Sequence, residues 1–181
     1  MERKVFLLGR AKSGTRSIDK ALNDLGYSTL NKHQGLDTDN LAQDIIKKMK
    51  NKGAFTATVK FDIEQIKEIE KTYPEAVFIL TERPSDKWYS SWVGHHSRKA
   101  TKENPRTEET AFKNKGAWVD KYYIEYNTLV KRHFQGREWK LLHIMYGAKN
   151  DNWGALCSFL KKPVPKGGFP HQNRSVDQKK K

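Results

Sequence analysis

Val5-Phe6-Leu7-Leu8-Gly9-Arg10-Ala11-Lys12-Ser13-Gly14-Thr15-Arg16-Ser17 is the stretch that decides the fold. Residues 5–8 are an apolar run suited to a strand buried on both faces. A helix is expected from about Gly14-Thr15, with Ile18, Ala21, Leu22 and Leu25 on one apolar face and Gly26 as its stop. A strand that turns through Gly9 and Gly14 into a helix makes a phosphate cradle. Successive backbone N–H groups converge on anionic oxygens, and the helix N-terminus adds its positive end. Lys12 supplies a mobile positive donor. Ser13, Thr15 and Ser17 supply hydroxyls, while Arg16 either extends the anion site or faces solvent. The stretch departs from the ordinary ATP-binding loop, in which a lysine follows the second glycine and meets the β- and γ-phosphates. Here Thr15 follows Gly14. No convincing acidic strand for magnesium is visible. Asp62 is the nearest imitation, and it reads equally as a helix cap.

Outward from this loop, strand and helix units recur. Short strands are expected at residues 27–30 and 55–61, a clear buried one at 76–81, and another at 139–144. Helices are expected at 37–50, after Asp62, at 85–98, over most of 108–134, and at 150–160. The apolar strand runs suit a parallel sheet covered on both sides. The expected fold is therefore a three-layer α/β/α P-loop nucleotide-binding domain with a central, mostly parallel sheet. One domain is expected over residues 1–162. Residues 163–181 read as an irregular segment covering it and ending in the basic tail Lys179-Lys180-Lys181.

The 181 residues carry 35 Lys and Arg against 21 Asp and Glu, a net charge of +14. Such a field favours anionic partners and speeds encounter with them. It does not choose among nucleotide, acidic glycan, nucleic acid and anionic membrane. Cys157 is the only cysteine, so no internal disulfide and no cysteine-rich metal site can form. The histidines form no metal-binding pattern, and no metal site is expected. No signal peptide or membrane-spanning run is apparent, so a soluble, cytoplasmic or otherwise intracellular protein is expected.

A second constellation follows the strand at 76–81: Glu82-Arg83-Pro84-Ser85-Asp86-Lys87-Trp88-Tyr89-Ser90-Ser91-Trp92. A third lies near the end, Trp153-Gly154-Ala155-Leu156-Cys157-Ser158-Phe159-Leu160, then Phe169-Pro170-His171-Gln172-Asn173. In this order the three resemble the P-loop sulfotransferases in their compact, single-domain form. Lys12-Ser13-Gly14-Thr15 looks like the family's 5′-phosphosulfate loop. Arg83 and Ser91 match the pair that binds the 3′-phosphate of the donor, 3′-phosphoadenosine 5′-phosphosulfate (PAPS). An arginine fork and a hydroxyl are physically suited to one terminal phosphate.

The resemblance implies a transferase that moves a sulfuryl group from PAPS to an acceptor hydroxyl, with 3′,5′-bisphosphoadenosine as product and no metal required. The implied donor-binding residues are Arg10, Ala11, Lys12, Ser13, Gly14, Thr15, Arg16, Ser17, Arg83 and Ser91. Lys12 would meet the charge developing on the departing bisphosphate. The base that takes the acceptor proton is open. In many family members the neighbourhood of residues 60–62 contains Lys-Thr-His; this chain has Lys60-Phe61-Asp62. Asp62 is the matching polar position, with a cap as its other reading. Lys60 is a candidate to orient the acceptor or to stabilise the sulfuryl group. His33 is a rival base. The acceptor is not legible: a carbohydrate, a small alcohol or phenol, and a peptide tyrosine all remain, and an anionic one suits the charge. Two other functions compete. An ATP-dependent nucleotide or small-molecule kinase lacks its lysine. A non-catalytic nucleotide- or polyanion-binding protein fits the charge, but no RNA- or DNA-recognition module is visible. Nucleic acid is thus not the expected partner, and the oligomeric state is unspecified.

Overall fold

The computed structural model describes residues 3–32, 34–97, 115–146 and 152–171. Its centre is a five-stranded sheet in the order β2-β3-β1-β4-β5. The strands are β1 (Val5–Leu7), β2 (Thr29–Leu30), β3 (Ala54–Phe55), β4 (Val77–Glu82) and β5 (Leu141–Met145). Every neighbouring pair is parallel. The helices are α1 (Thr15–Asp24), α2 (Leu41–Lys48), α3 (Ile63–Thr72), α4 (Ser85–Ser97), α5 (Glu125–His133) and α6 (Asn152–Leu160). A turn of helix, Lys115–Ala117, and a π-helical segment, Trp118–Ile124, lead into α5. Among the described residues, no helix is long and apolar enough to cross a membrane.

The period-two geometry of the strands sorts their side chains onto two faces. Val5 and Leu7 of β1 join Val77 and Ile79 of β4 against Ile18, Ala21 and Leu22 of α1 and Leu156 of α6. Phe6, Phe55, Phe78 and Leu80 face the other way, against Ile45 of α2, Ile66 and Ile69 of α3, and Val130 beside Phe134. Both faces are covered, which is why the strands are apolar throughout rather than alternating. Each such side chain, fully buried, contributes roughly 1.5–3 kcal/mol. The chain runs from β1 out to β2, returns to β3 beside β1, and then crosses to β4 on β1's other side. That reversal makes the carboxyl ends of β1 and β4 the crevice where open α/β sheets hold ligands.

Several elements are shorter than the sequence predicts, for definable reasons. Ladder pairing in β3 stops at Phe55 instead of running to residue 61. The register places Phe55 beside Phe6, but the Leu8 N–H turns to the Ile79 carbonyl of β4 at 2.8 Å. β1 thus leaves β3 behind as it enters the loop. Ala57 and Phe61 remain buried without pairing. Helix α2 begins at Leu41 rather than near Asp37. Asp37 Oδ1 instead accepts the N–H groups of Asp39 and Asn40, a local turn that competes with helix. β5 begins at Leu141, because Trp139 and Lys140 belong to the preceding turn. There Lys140 Nζ is bound by the carbonyls of Pro74 and Ala76. Of the helix expected over 108–134, residues 108–114 lie outside the described residues. The rest is helical, but its middle is π rather than α.

Asp62 caps a helix. Its Oδ1 accepts the Gln65 N–H at 2.8 Å, and the Gln65 side chain accepts the Asp62 N–H at 3.0 Å. This reciprocal capping box starts α3. In urea denaturation, Asp62→Ala is expected to cost about 1 kcal/mol, and Asp62→Asn, which keeps a capping oxygen, far less. Equal losses would mean that the charge, not the cap, holds this helix.

Candidate active site

The loop after β1 is shaped by where its carbonyls go. The Leu8 carbonyl accepts from the Tyr126 hydroxyl at 2.9 Å. The Arg10 carbonyl accepts from both the N–H and the hydroxyl of Ser13, at 3.2 and 2.6 Å. The Ala11 carbonyl takes the Trp88 indole N–H at 2.8 Å, and the Lys12 carbonyl takes Arg83 Nη1 at 3.2 Å. With these carbonyls held, Arg10's by Ser13 within the loop and the others from outside it, the loop turns through left-handed conformations at Lys12 (φ 71°) and Gly14 (φ 103°) into α1. The first turn of α1 then presents the N–H groups of Thr15 and Arg16 to the same space, while the Ser17 N–H donates to the Gly14 carbonyl at 3.0 Å.

Glycine is required at two points. A Cβ on Gly9 would lie 1.9 Å from Thr81 Oγ1, so β1 and β4 approach too closely there for any side chain. A Cβ on Gly14 would lie 2.5 Å from the Tyr146 ring. Tyr146 follows β5 directly, and its N–H donates to the Glu82 carbonyl at 2.6 Å. Its hydroxyl lies 2.9 Å from Ser17 Oγ and 3.1 Å from His171 Nδ1. Phe169 meets the Trp153 ring at 5.0 Å. The segment after α6 therefore comes back over the start of α1.

Two arginines stand here, Arg10 within the loop and Arg83 beside it. The backbone of Arg83 is clamped by one phenol: its N–H donates to Tyr123 Oη at 2.7 Å, and Tyr123 donates back to its carbonyl at 2.9 Å. Trp88 stacks on Tyr123 with centroids 4.2 Å apart. Burial pushes the Tyr123 phenol up to about 12, so it stays a donor at physiological pH. Arg83 Nε is buried with no hydrogen-bond partner. Arg10 is 2% exposed, with its guanidinium carbon 3.7 Å from the Tyr122 ring centroid. Burial pulls its pKa down from the ordinary value, and its Nε and Nη2 have no hydrogen-bond partner. Glu82 anchors the strand end, bound to Lys131 at 3.1 Å and His143 at 2.9 Å. These partners, His143 first, hold its carboxyl below the usual range.

A family model described as "Sulfotransferase domain" matches residues 4–108 and 98–177. The chain belongs to the sulfotransferase-domain family. Its fold resembles mouse sulfotransferase SULT7A1 complexed with PAP, with a TM-score of 0.63 at 17% identity, covering 99% of this chain and 63% of that one. It also resembles the sulfotransferase from Alicyclobacillus acidocaldarius, with a TM-score of 0.60 at 16% identity, covering 99% of this chain and 90% of the other. The chain thus spans less than two thirds of the mouse protein's length. No curated protein matches the sequence.

Within this sulfotransferase fold, the residues expected from sequence fall into three groups. Arg10, Ala11, Lys12, Ser13, Gly14, Thr15, Arg16 and Ser17 form one continuous loop and helix start, and Arg83 reaches it. Ser91 lies partly buried on α4. Ser13 differs from its expected use: its hydroxyl proton goes to the Arg10 carbonyl and its oxygen pairs with Thr81 Oγ1 at 2.7 Å. It fastens the loop to β4. Lys60 and Asp62 are exposed between β3 and α3, and His33 lies outside the described residues. Thr81, Tyr146, Tyr122 and Tyr123 were not singled out as site residues. Only Tyr146 had a usable signal, a polar aromatic just past the carboxyl end of a strand.

Gly9→Ala is expected to cost at least about 2 kcal/mol through overpacking against Thr81. Gly116→Ala, where nothing lies within 4 Å of the added carbon, serves as control and is expected to be neutral or stabilising. Thermal melts of the two variants check this; similar midpoints would contradict the contact.

Proposed function

We propose that this protein transfers a sulfuryl group from PAPS to an acceptor hydroxyl. The observation that carries the reading is Arg83. It sits at the end of β4, touches the phosphate loop through the Lys12 carbonyl, and keeps Nε buried without a partner. A buried guanidinium N–H left unpaired costs free energy that an incoming anion recovers. A phosphate loop with a second anion site beside it fits a nucleotide carrying a 3′-phosphate as well as its 5′ chain. ATP has no 3′-phosphate to use that arginine.

When bound, PAPS supplies an activated sulfuryl group whose bridging S–O bond breaks as the acceptor O–S bond forms. The chain's contribution is positioning and charge. The N–H groups of α1's first turn, with Thr15 and Ser17 alongside, grip the 5′ end. The Lys12 ammonium meets the charge that gathers on the departing bisphosphate. Arg83 and Ser91 hold the 3′-phosphate. The acceptor proton goes to a base, for which Asp62 is retained, with Lys60 beside it and His33 as the rival. Capping engages Asp62 Oδ1, and the residue is exposed between β3 and α3.

Calorimetric titration with 3′,5′-bisphosphoadenosine against ADP tests the donor site. Wild type is expected to prefer the bisphosphate, and Arg83→Ala to lose about tenfold or more of that preference, as for a charge-assisted bond. A wild type with no preference would sink the reading. Asp62→Asn keeps the cap and removes the base. With labelled PAPS, lost turnover at unchanged bisphosphate affinity supports Asp62, whereas full turnover assigns the base elsewhere.

A further inference from the structure

A second feature begins at the phosphate loop and runs away from it. Arg16, Asp19, Lys20 and Asn23 are spaced i, i+3, i+4 and i+7 on α1, so they share one face. It is the face turned away from Ile18, Ala21 and Leu22 of the core. Across from it stand Thr29, Leu30, Asn31 and Lys32 of β2 and its end, with Lys52 before β3. Between them lies an open cleft of about 880 Å³, within the roughly 300–1,000 Å³ of small-ligand sites. From Arg16 to Asn23 the helix rises about 10 Å.

The lining is strongly one-signed. Arg16, Lys20, Lys32 and Lys52 line it beside the carboxylate of Asp19, and Lys20 also pairs with Asp24 one turn on. The Asp19 carboxylate is held at the carboxyl end of β3 by the Thr56 hydroxyl. The neutral polar groups of the lining are Asn23, Thr29 and Asn31; the Asn23 amide donates to the Asp19 carbonyl and to Thr29 Oγ1, which leaves its oxygen for a ligand donor. No aromatic side chain lines the cleft among the described residues. Single-stranded nucleic acid is held by aromatic stacking as well as charge, so the lining does not suit it. Amides, a hydroxyl and a carboxylate interleaved with ammonium groups suit a chain rich in both hydroxyls and negative charges.

We infer that this cleft binds an acidic saccharide chain, carrying carboxylates or sulfates, and that the chain lies along α1 with one hydroxyl delivered to the loop at the Arg16 end. This names the acceptor class and rests on the sulfotransferase reading. The cations meet the anionic groups, and the cleft's direction sets which sugar unit reaches Lys12.

The test uses the full chain and a fluorescent hyaluronan hexasaccharide, whose uronates repeat along the chain, without donor. Lys20→Glu/Lys32→Glu/Lys52→Glu is compared with Lys47→Glu/Lys67→Glu/Lys71→Glu, the same charge change on α2 and α3 across the sheet. Arg16 is kept, because it belongs to the donor loop. Wild type is expected to bind with an affinity that falls as salt rises, and the cleft variant to lose about tenfold or more while the control loses under about twofold. Equal losses would overturn the cleft as a site and leave only the general field. Tighter binding of a single-stranded oligonucleotide, weakened by the same substitutions, would overturn the saccharide assignment. Bisphosphate titration of each variant separates the two ideas. Failure of that nucleotide to bind wild type removes the donor reading, whatever the hexasaccharide does.

Discussion

The structure depends on how the loop between β1 and α1 is pulled open. A loop of bare backbone turns its carbonyls as readily as its N–H groups toward a ligand, and then repels anions. Here the carbonyls of Leu8, Arg10, Ala11 and Lys12 are occupied by Tyr126, Ser13, Trp88 and Arg83. The left-handed conformation at Lys12 costs about 1 kcal/mol or more for a residue with a Cβ. Bonds from outside the loop, on the carbonyls of Ala11 and Lys12, oppose that cost. β4, α4 and α5 are thus parts of the anion site, although they contribute few groups to the ligand directly.

Two arginines are served from the one π-helical segment. Within Trp118–Ile124, Tyr122 covers Arg10 while Tyr123 clamps Arg83. Both rings lie against Trp88, at 6.2 and 4.2 Å. π turns are uncommon and concentrate where function needs a local re-aiming of side chains. Trp88 ties this segment back to the loop through its indole N–H.

Much of this was legible in sequence, for physical reasons. The apolar runs of β1 and β4 are buried on both faces, so their composition announces them. Loop glycines, a lysine before Gly14 and an arginine at a strand end are chemical types with few other uses in that order. What was not legible depends on distances between segments remote in sequence. The run 55–61 has strand composition, but pairing ends where β1 turns toward β4. Ser13 has the right chemistry for phosphate and is used up by Arg10 and Thr81. The capping reading of Asp62 was visible, and the structure supplies its Gln65 partner. Nothing in the residues 118–124 distinguishes π from α.

The bonds that open the loop also set an order of assembly. Arg83 and Lys12 are 71 positions apart, and Tyr126 and Leu8 are 118 apart. On a ribosome synthesising at about 5–20 residues per second, the N-terminal segment waits many seconds before these partners emerge. Until then the loop has nothing to hold its carbonyls, and β1 lacks its β4 neighbour. Residues of the β1–α1 loop, made before these partners, are among the last to acquire their working shape. The anion site is therefore complete only when most of the domain has folded, and a chain truncated before α5 is expected to lack it.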